Sequence, residues 1–123
     1  MFVARKFKTS KVYCVDNWEG KEEYYKIDFN KIENNFDFNT HEYKNITKIK
    51  KNSDNFFLEN NIKFSVIYID GYHKATQVFK DFQNSWKSLL PNGIIIFDDY
   101  IWQFFEDIKD NPCYGINQFL KTI

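Results

Sequence analysis

Two apolar runs with an amphipathic stripe between them limit what this chain can become. "KFSVIYID" covers residues 63–70 and "GIIIFDD" covers residues 93–99. Both are short, rich in β-branched and aromatic residues, and closed by acids, so both predict strands buried on two faces. Between them Ala75, Val78, Phe79, Phe82, Trp86, Leu89 and Leu90 recur in steps of three and four, which predicts an amphipathic helix. "LPNG" at residues 90–93 is expected to stop that helix and turn into the second run. A strand, a helix and a strand in close succession predict parallel strands joined by a crossover.

The upstream half repeats the pattern. "KVYCVD", residues 11–16, alternates and ends in an acid, as a strand would. "NWEGKEEYY" reads as a polar loop, and a helix is expected from about Asp28, with Phe29, Ile32 and Phe36 on one face. "ITKIK", residues 46–50, is a short strand, and Ser53 can cap a short helix carrying Phe56, Phe57 and Leu58. After Trp102 a polar loop runs to Pro112, and "YGINQFLKTI" predicts a last helix. Strands alternating with helices predict an α/β fold: a Rossmann-like parallel sheet with helices on both faces. Residues 11–16 are expected beside 46–50, and 64–70 beside 94–98. The 123 residues suffice for one domain, 11–123, behind an N-terminal extension, 1–10.

Composition removes several function classes. The 17 basic and 17 acidic residues balance, so nothing steers the chain toward nucleic acid or an anionic membrane. No stretch approaches the ~20 apolar residues of a membrane span. "MFVARKFKTS" lacks the apolar core of a secretory signal, which predicts a cytoplasmic protein. Cys14 and Cys113 form no CxxC pair and read as reduced, buried thiols. The sequon at Asn45 reads as chance.

In an open parallel sheet, ligands bind beyond the carboxyl ends of the strands. Three of the four strands end in acids there: Asp16, Asp70, and the pair Asp98 and Asp99. Any one could be a helix cap or turn residue. Together, Asp70, Asp98 and Asp99 offer the hard oxygen ligands that an octahedral cation takes, and carboxylates that close need a cation or a proton to coexist. His73, in "DGYH", follows a strand end beside these acids and could take a hydroxyl proton. His41 reads as solvated surface. Trp18 and Trp102 are either loop anchors or walls of an adenine or substrate pocket. A metal-dependent phosphoryl-transfer domain would also use acidic strand ends. No phosphate-binding glycine loop accompanies them.

"FSVIYIDGYH", the long helix and "LLPNGIIIFDDYIW" resemble the fourth and fifth strand region of class I S-adenosylmethionine-dependent methyltransferases. The nearer resemblance is to a branch of small-molecule O-methyltransferases. "KVYCVDNWEG" is similar to the second strand of that branch, and "ITKIKKNSDNF" to its third strand and adenine loop. The resemblance covers residues 11–121. It implies S-adenosylmethionine as cofactor, with Asp16 on the ribose, Asn52 and Ser53 beside the adenine, and Asp70 on the same ligand edge. It also implies a divalent cation, Mg2+ or another, held by Asp70, Asp98 and Asp99. The acceptor would be a sugar or phenolic hydroxyl on a small molecule, with His73 as base.

Two departures qualify what the resemblance implies. His73 stands where catechol-type relatives carry a lysine, and Tyr72 where macrocin-type relatives carry an aspartate. The family's first strand and its Gly-rich turn have no counterpart here, since the four glycines lie at 20, 71, 93 and 115. The expectation is therefore an incomplete methyltransferase core, weakly active or inactive alone, with a bare strand edge that favours self-association. The alternative is a non-catalytic fragment or a sheet-completing partner of another chain.

Overall fold

The computed structural model describes residues 2–20 and 26–123, so part of the polar loop expected at 17–25 lies outside the described residues. The described elements are α1 (Phe2–Lys6), β1 (Val12–Asp16), α2 (Phe29–Thr40), β2 (Ile46–Lys50), α3 (Ser53–Glu59), β3 (Phe64–Ile69), α4 (Ala75–Ser88), β4 (Leu89–Phe97), a 3-10 turn (Ile108–Asp110) and α5 (Pro112–Leu120). Strands alternate with helices as expected. All strand pairing among the described residues is parallel, as expected of a Rossmann-like sheet. β1 pairs with β2, and β3 with β4, giving two two-stranded sheets rather than one of four strands. Among the described residues no further strand bridges the pairs. The chain divides into two compact units, Met1–Ser53 and Asp54–Ile123.

In the first unit β1 and β2 run in register from Val12 opposite Ile46 to Asp16 opposite Lys50. The amide of Asn45 lies 3.1 Å from the Ala4 carbonyl, 3.3 Å from that of Phe7 and 3.1 Å from that of Ser10. It thereby ties α1 and the turn after it to the start of β2. Asp28 caps α2 by accepting from the Lys31 amide at 3.2 Å. Trp18 is held in a left-handed conformation, φ 52°, by its N–H donating to Asp16 Oδ1 at 2.8 Å. Its buried indole lies 5.3 Å from the Phe36 ring, with Lys48 Nζ 4.6 Å over it. Trp18 is thus an anchor of its loop. Lys48 also pairs with Glu33 at 2.8 Å and Asp37 at 2.7 Å, and Lys50 with Glu33 at 2.6 Å.

The second unit is built on aromatic packing. Val78 and Phe82 of α4 meet Ile116 and Phe119 of α5, and Phe79, Ile95 and Phe97 pack against them. Phe82 lies 4.3 Å from Phe119 and 4.7 Å from Phe97, ring centre to ring centre. The two helices approach so closely at Gly115 that a Cβ there would sit 3.0 Å from the Ala75 carbonyl carbon and 3.1 Å from the Phe79 amide nitrogen. Glycine is required by that approach.

Two expectations for this unit need correction. "PNG" does not separate helix from strand. β4 already begins at Leu89, opposite Phe64, and the next paired residues are Val66 and Ile94. Pro91 cannot donate to the ladder, and Asn92 is left-handed at φ 62°, so the segment bulges out of the pairing. The strands are also not buried on both faces. One face packs on α4 and α5, while Val66 (55%), Tyr68 (55%), Ile94 (58%) and Ile96 (44%) are exposed on the other.

Candidate functional site

The ends of β3 and β4 are level. Ile69 lies opposite Phe97, and the Asp98 N–H donates to the Ile69 carbonyl at 3.1 Å. The chain then leaves both strands at acids, where no further ladder partner constrains it. Asp70, His73 and Asp99 converge, each offering a ligand atom within 4.8 Å of the others. His73 Nε2 lies 2.8 Å from Asp99 Oδ2. The imidazole is buried, at 6% exposure, and Asp99 is half-buried. A cavity of about 20 Å3 opens among Asp70, His73 and Asp99, with Phe97 and Ile116 behind it. That is room for one water-sized species. A larger cavity of about 290 Å3 lies at the opposite end of β3, among Asn60, Asn61, Lys63, Asn84, Lys87 and Ser88.

Asp98 is not in this cluster. Its carboxylate turns to the Tyr68 hydroxyl on the open sheet face. Hydrogen bonding to Asp98, helped by burial and by the charges of Asp98, Asp70 and Asp99, pushes the Tyr68 phenol up to about 12. Strand alternation accounts for the division, since Asp98 and Asp99 are neighbours and leave the strand toward opposite sides.

Three further groups fix the site. Asp81, buried at 4% exposure on α4, accepts from Gln77 Nε2 at 3.1 Å. Its other oxygen underlies the turn at Gly71, where a Cβ would stand 3.8 Å away. Trp102 stacks on His73, with ring centres 4.3 Å apart and planes 26° apart. Asn111, 2% exposed, accepts from the Phe104 and Phe105 amides at 3.0 and 3.2 Å. It also donates to the Phe105 and Asp107 carbonyls at 2.9 and 3.2 Å. Asp81 had a sequence signal, a carboxylate on the buried arc between Val78 and Phe82. Asn111 had one too, as an asparagine directly before a helix-opening proline. The His73–Trp102 stack had none.

In the first unit, Asp16, Asn52 and Ser53 share the carboxyl edge of β1–β2. Asp16 is opposite Lys50, and the Lys51 N–H donates to the Asp16 carbonyl at 3.0 Å. Asn52 follows directly, and α3 begins at Ser53. Asp16 is exposed, with Oδ1 taking the Trp18 amide. Cys14 and Cys113 are free thiols, half-buried, and burial raises the pKa of Cys14. His41 is exposed on its helix end, with Nδ1 2.6 Å from the Phe38 carbonyl.

A family model described as a methyltransferase domain matches residues 2–100. The chain belongs to this class I methyltransferase family. The match takes in α1 and both strand pairs of the methyltransferase, and it ends just beyond Asp98 and Asp99. No curated protein and no solved structure matches the chain. No described helix of this methyltransferase is long and apolar enough to cross a membrane.

Proposed function

We propose that this methyltransferase uses S-adenosylmethionine to methylate a hydroxyl of a small molecule, assisted by a divalent cation. The observation that supports it is the meeting of Asp70, His73 and Asp99 around an ion-sized cavity at the strand ends of a methyltransferase domain. Two carboxylate oxygens and an imidazole nitrogen suit a cation such as Mn2+ at least as well as Mg2+. In this reading Asp70, His73 and Asp99 hold the ion, and Asp98 tunes the rim of the site through Tyr68. When bound, the ion would polarise the acceptor hydroxyl and ease loss of its proton. Methyl transfer from a sulfonium is an in-line displacement, so the remaining task of these residues is to hold the acceptor in place. Asp16 would take the ribose hydroxyls of the cofactor, and Asn52 and Ser53 would border its adenine.

The test is calorimetry with Mn2+ on the wild-type chain, Asp70→Ala and His73→Gln. The reading expects binding in the wild type and its loss in Asp70→Ala. His73→Gln separates two roles: a ligand loses affinity on substitution, whereas a base acting apart from the ion leaves affinity unchanged.

The pairing of strands in two separate sheets favours a second reading, in which catalysis waits on completion of the sheet by another chain. The four glycines lie at 20, 71, 93 and 115, and none belongs to the glycine-rich turn that the resemblance expects at the methionine end of the cofactor. Hydrogen bonds to charged groups contribute about 1.5–3 kcal/mol each, so losing several weakens binding by on the order of a thousandfold. Titration with S-adenosylmethionine decides it: low-micromolar affinity in this chain alone would sink the second reading.

A further inference from the structure

We infer that Trp102 is a positioning residue, whose stack on His73 holds the imidazole nitrogen toward the cation. This rests on the cation reading above. A ligating imidazole must point a lone pair, in the plane of its ring, at the ion. Rotation about the bond to the ring swings that lone pair away. In His73 the ring edge is set by Asp99, 2.8 Å from Nε2, and one face is set by the indole at 4.3 Å. The indole has further ring neighbours: Phe104 is near-parallel to it at 5.5 Å and 22°, and Phe105 meets it at 6.1 Å and 70°. The order continues outward, because both phenylalanine amides are held by the buried Asn111. A loop with no helix or strand of its own thus presents a fixed plane to one ring of the site. Partners of this kind orient ligands by restricting their geometry.

The experiment measures Mn2+ affinity by calorimetry and records the 14N modulation that a ligating imidazole imprints on the Mn2+ electron-spin echo. It compares wild type, Trp102→Phe, Trp102→Leu and Phe104→Leu, with thermal unfolding followed for each. Trp102→Leu keeps an apolar side chain but removes the flat face. It should weaken Mn2+ binding by about 10- to 100-fold, the range typical of lost outer partners, and diminish the nitrogen modulation. Trp102→Phe, which can still stack, should restore the modulation. Phe104 is 54% exposed, so Phe104→Leu should fold even if Trp102→Leu does not, and should give a smaller loss in the same direction. Wild-type affinity and undiminished modulation in Trp102→Leu, or in Phe104→Leu where that is the folded variant, would overturn the inference and leave the cation reading standing. A wild-type chain that binds no Mn2+ would overturn both.

Discussion

The two units reach order by different physics. In Met1–Ser53 the buried described residues are Ala4, Trp18 and Thr40, and the strands are held by polar contacts. Asn45 gathers three carbonyls, and Lys48 joins Glu33 to Asp37 while lying over Trp18. In Asp54–Ile123 the strands lie on a cluster of phenylalanines from α4 and α5. The first unit should answer to salt and pH. The second should answer to volume.

The sharpest way to break that contrast is to overfill the second unit. Gly115→Val places methyl groups against the backbone of Ala75 and Phe79, so α5 must move off α4. Hollowing the core by Phe82→Ala should cost about 3–5 kcal/mol. Gly115→Val should cost at least the ~1–3 kcal/mol typical of overpacking. Chemical denaturation followed by near-ultraviolet circular dichroism checks both. A Gly115→Val chain as stable as the wild type would disprove the close approach.

Asn111→Ala comes next. It leaves two amides and two carbonyls of the loop without their partner. With about 1–3 kcal/mol for each buried group left unsatisfied, offset by water entering the loop, a net loss of about 2–3 kcal/mol is expected in the same assay.

In the first unit the effects are smaller and carry a sign. Hydrogen bonds from Lys48 and then Lys50 hold the Glu33 carboxyl below its usual 4.5. That contribution is complete above 4.5 and is lost as pH falls through the depressed value. Burial works against the Lys48 charge, but hydrogen bonds to Asp37 and Glu33 outweigh it and raise its pKa above 10.5. Its contribution is complete below 10.5 and fades as pH rises through the raised value. Acid and 1 M NaCl should therefore loosen exchange protection around β1 and β2 while leaving the α4–α5 core unchanged. Equal loosening of both units would erase the distinction.

The smallest effect is at Tyr68. Its phenol should ionise at about pH 12 in an ultraviolet titration, raised from the usual 10.0. Any stability it lends is complete below pH 10 and declines as pH rises from there toward 12. Asp98→Asn should bring the titration back toward 10, and an unmoved titration would mean that Asp98 does not face Tyr68.

What the sequence made legible follows from periodicity. The stripe from Ala75 to Leu90 and the runs ending at Asp70 and Asp98 gave the second unit's elements, because apolar spacing reports which side chains must leave water. The helix opening at Asp28 was legible for the same reason, with a capping acid at its head. The break after Leu89 was not, since Pro91, Asn92 and Gly93 suit a turn and a bulge equally well. In the site, the acids could be named from their place at the strand ends. Which of them converge depends on whether each side chain leaves the strand above or below it. Two adjacent aspartates carry no mark of that. His73 could be placed near the acids, but its stack on a tryptophan 29 positions away depends on loop closure, and no local pattern encodes it.

The Asn111 latch has a consequence for how the molecule would look in deuterium oxide. Residues 100–107 carry no regular secondary structure and include side chains largely in solvent, so by habit one would expect their amides to exchange within seconds. The Phe104 and Phe105 N–H groups, however, both end on an amide oxygen sealed from water. Their exchange must wait for the latch to open, and the latch sits at the head of α5, so opening it means loosening the start of that helix. Two slow amides should therefore stand among fast neighbours, exchanging in step with the first turn of α5.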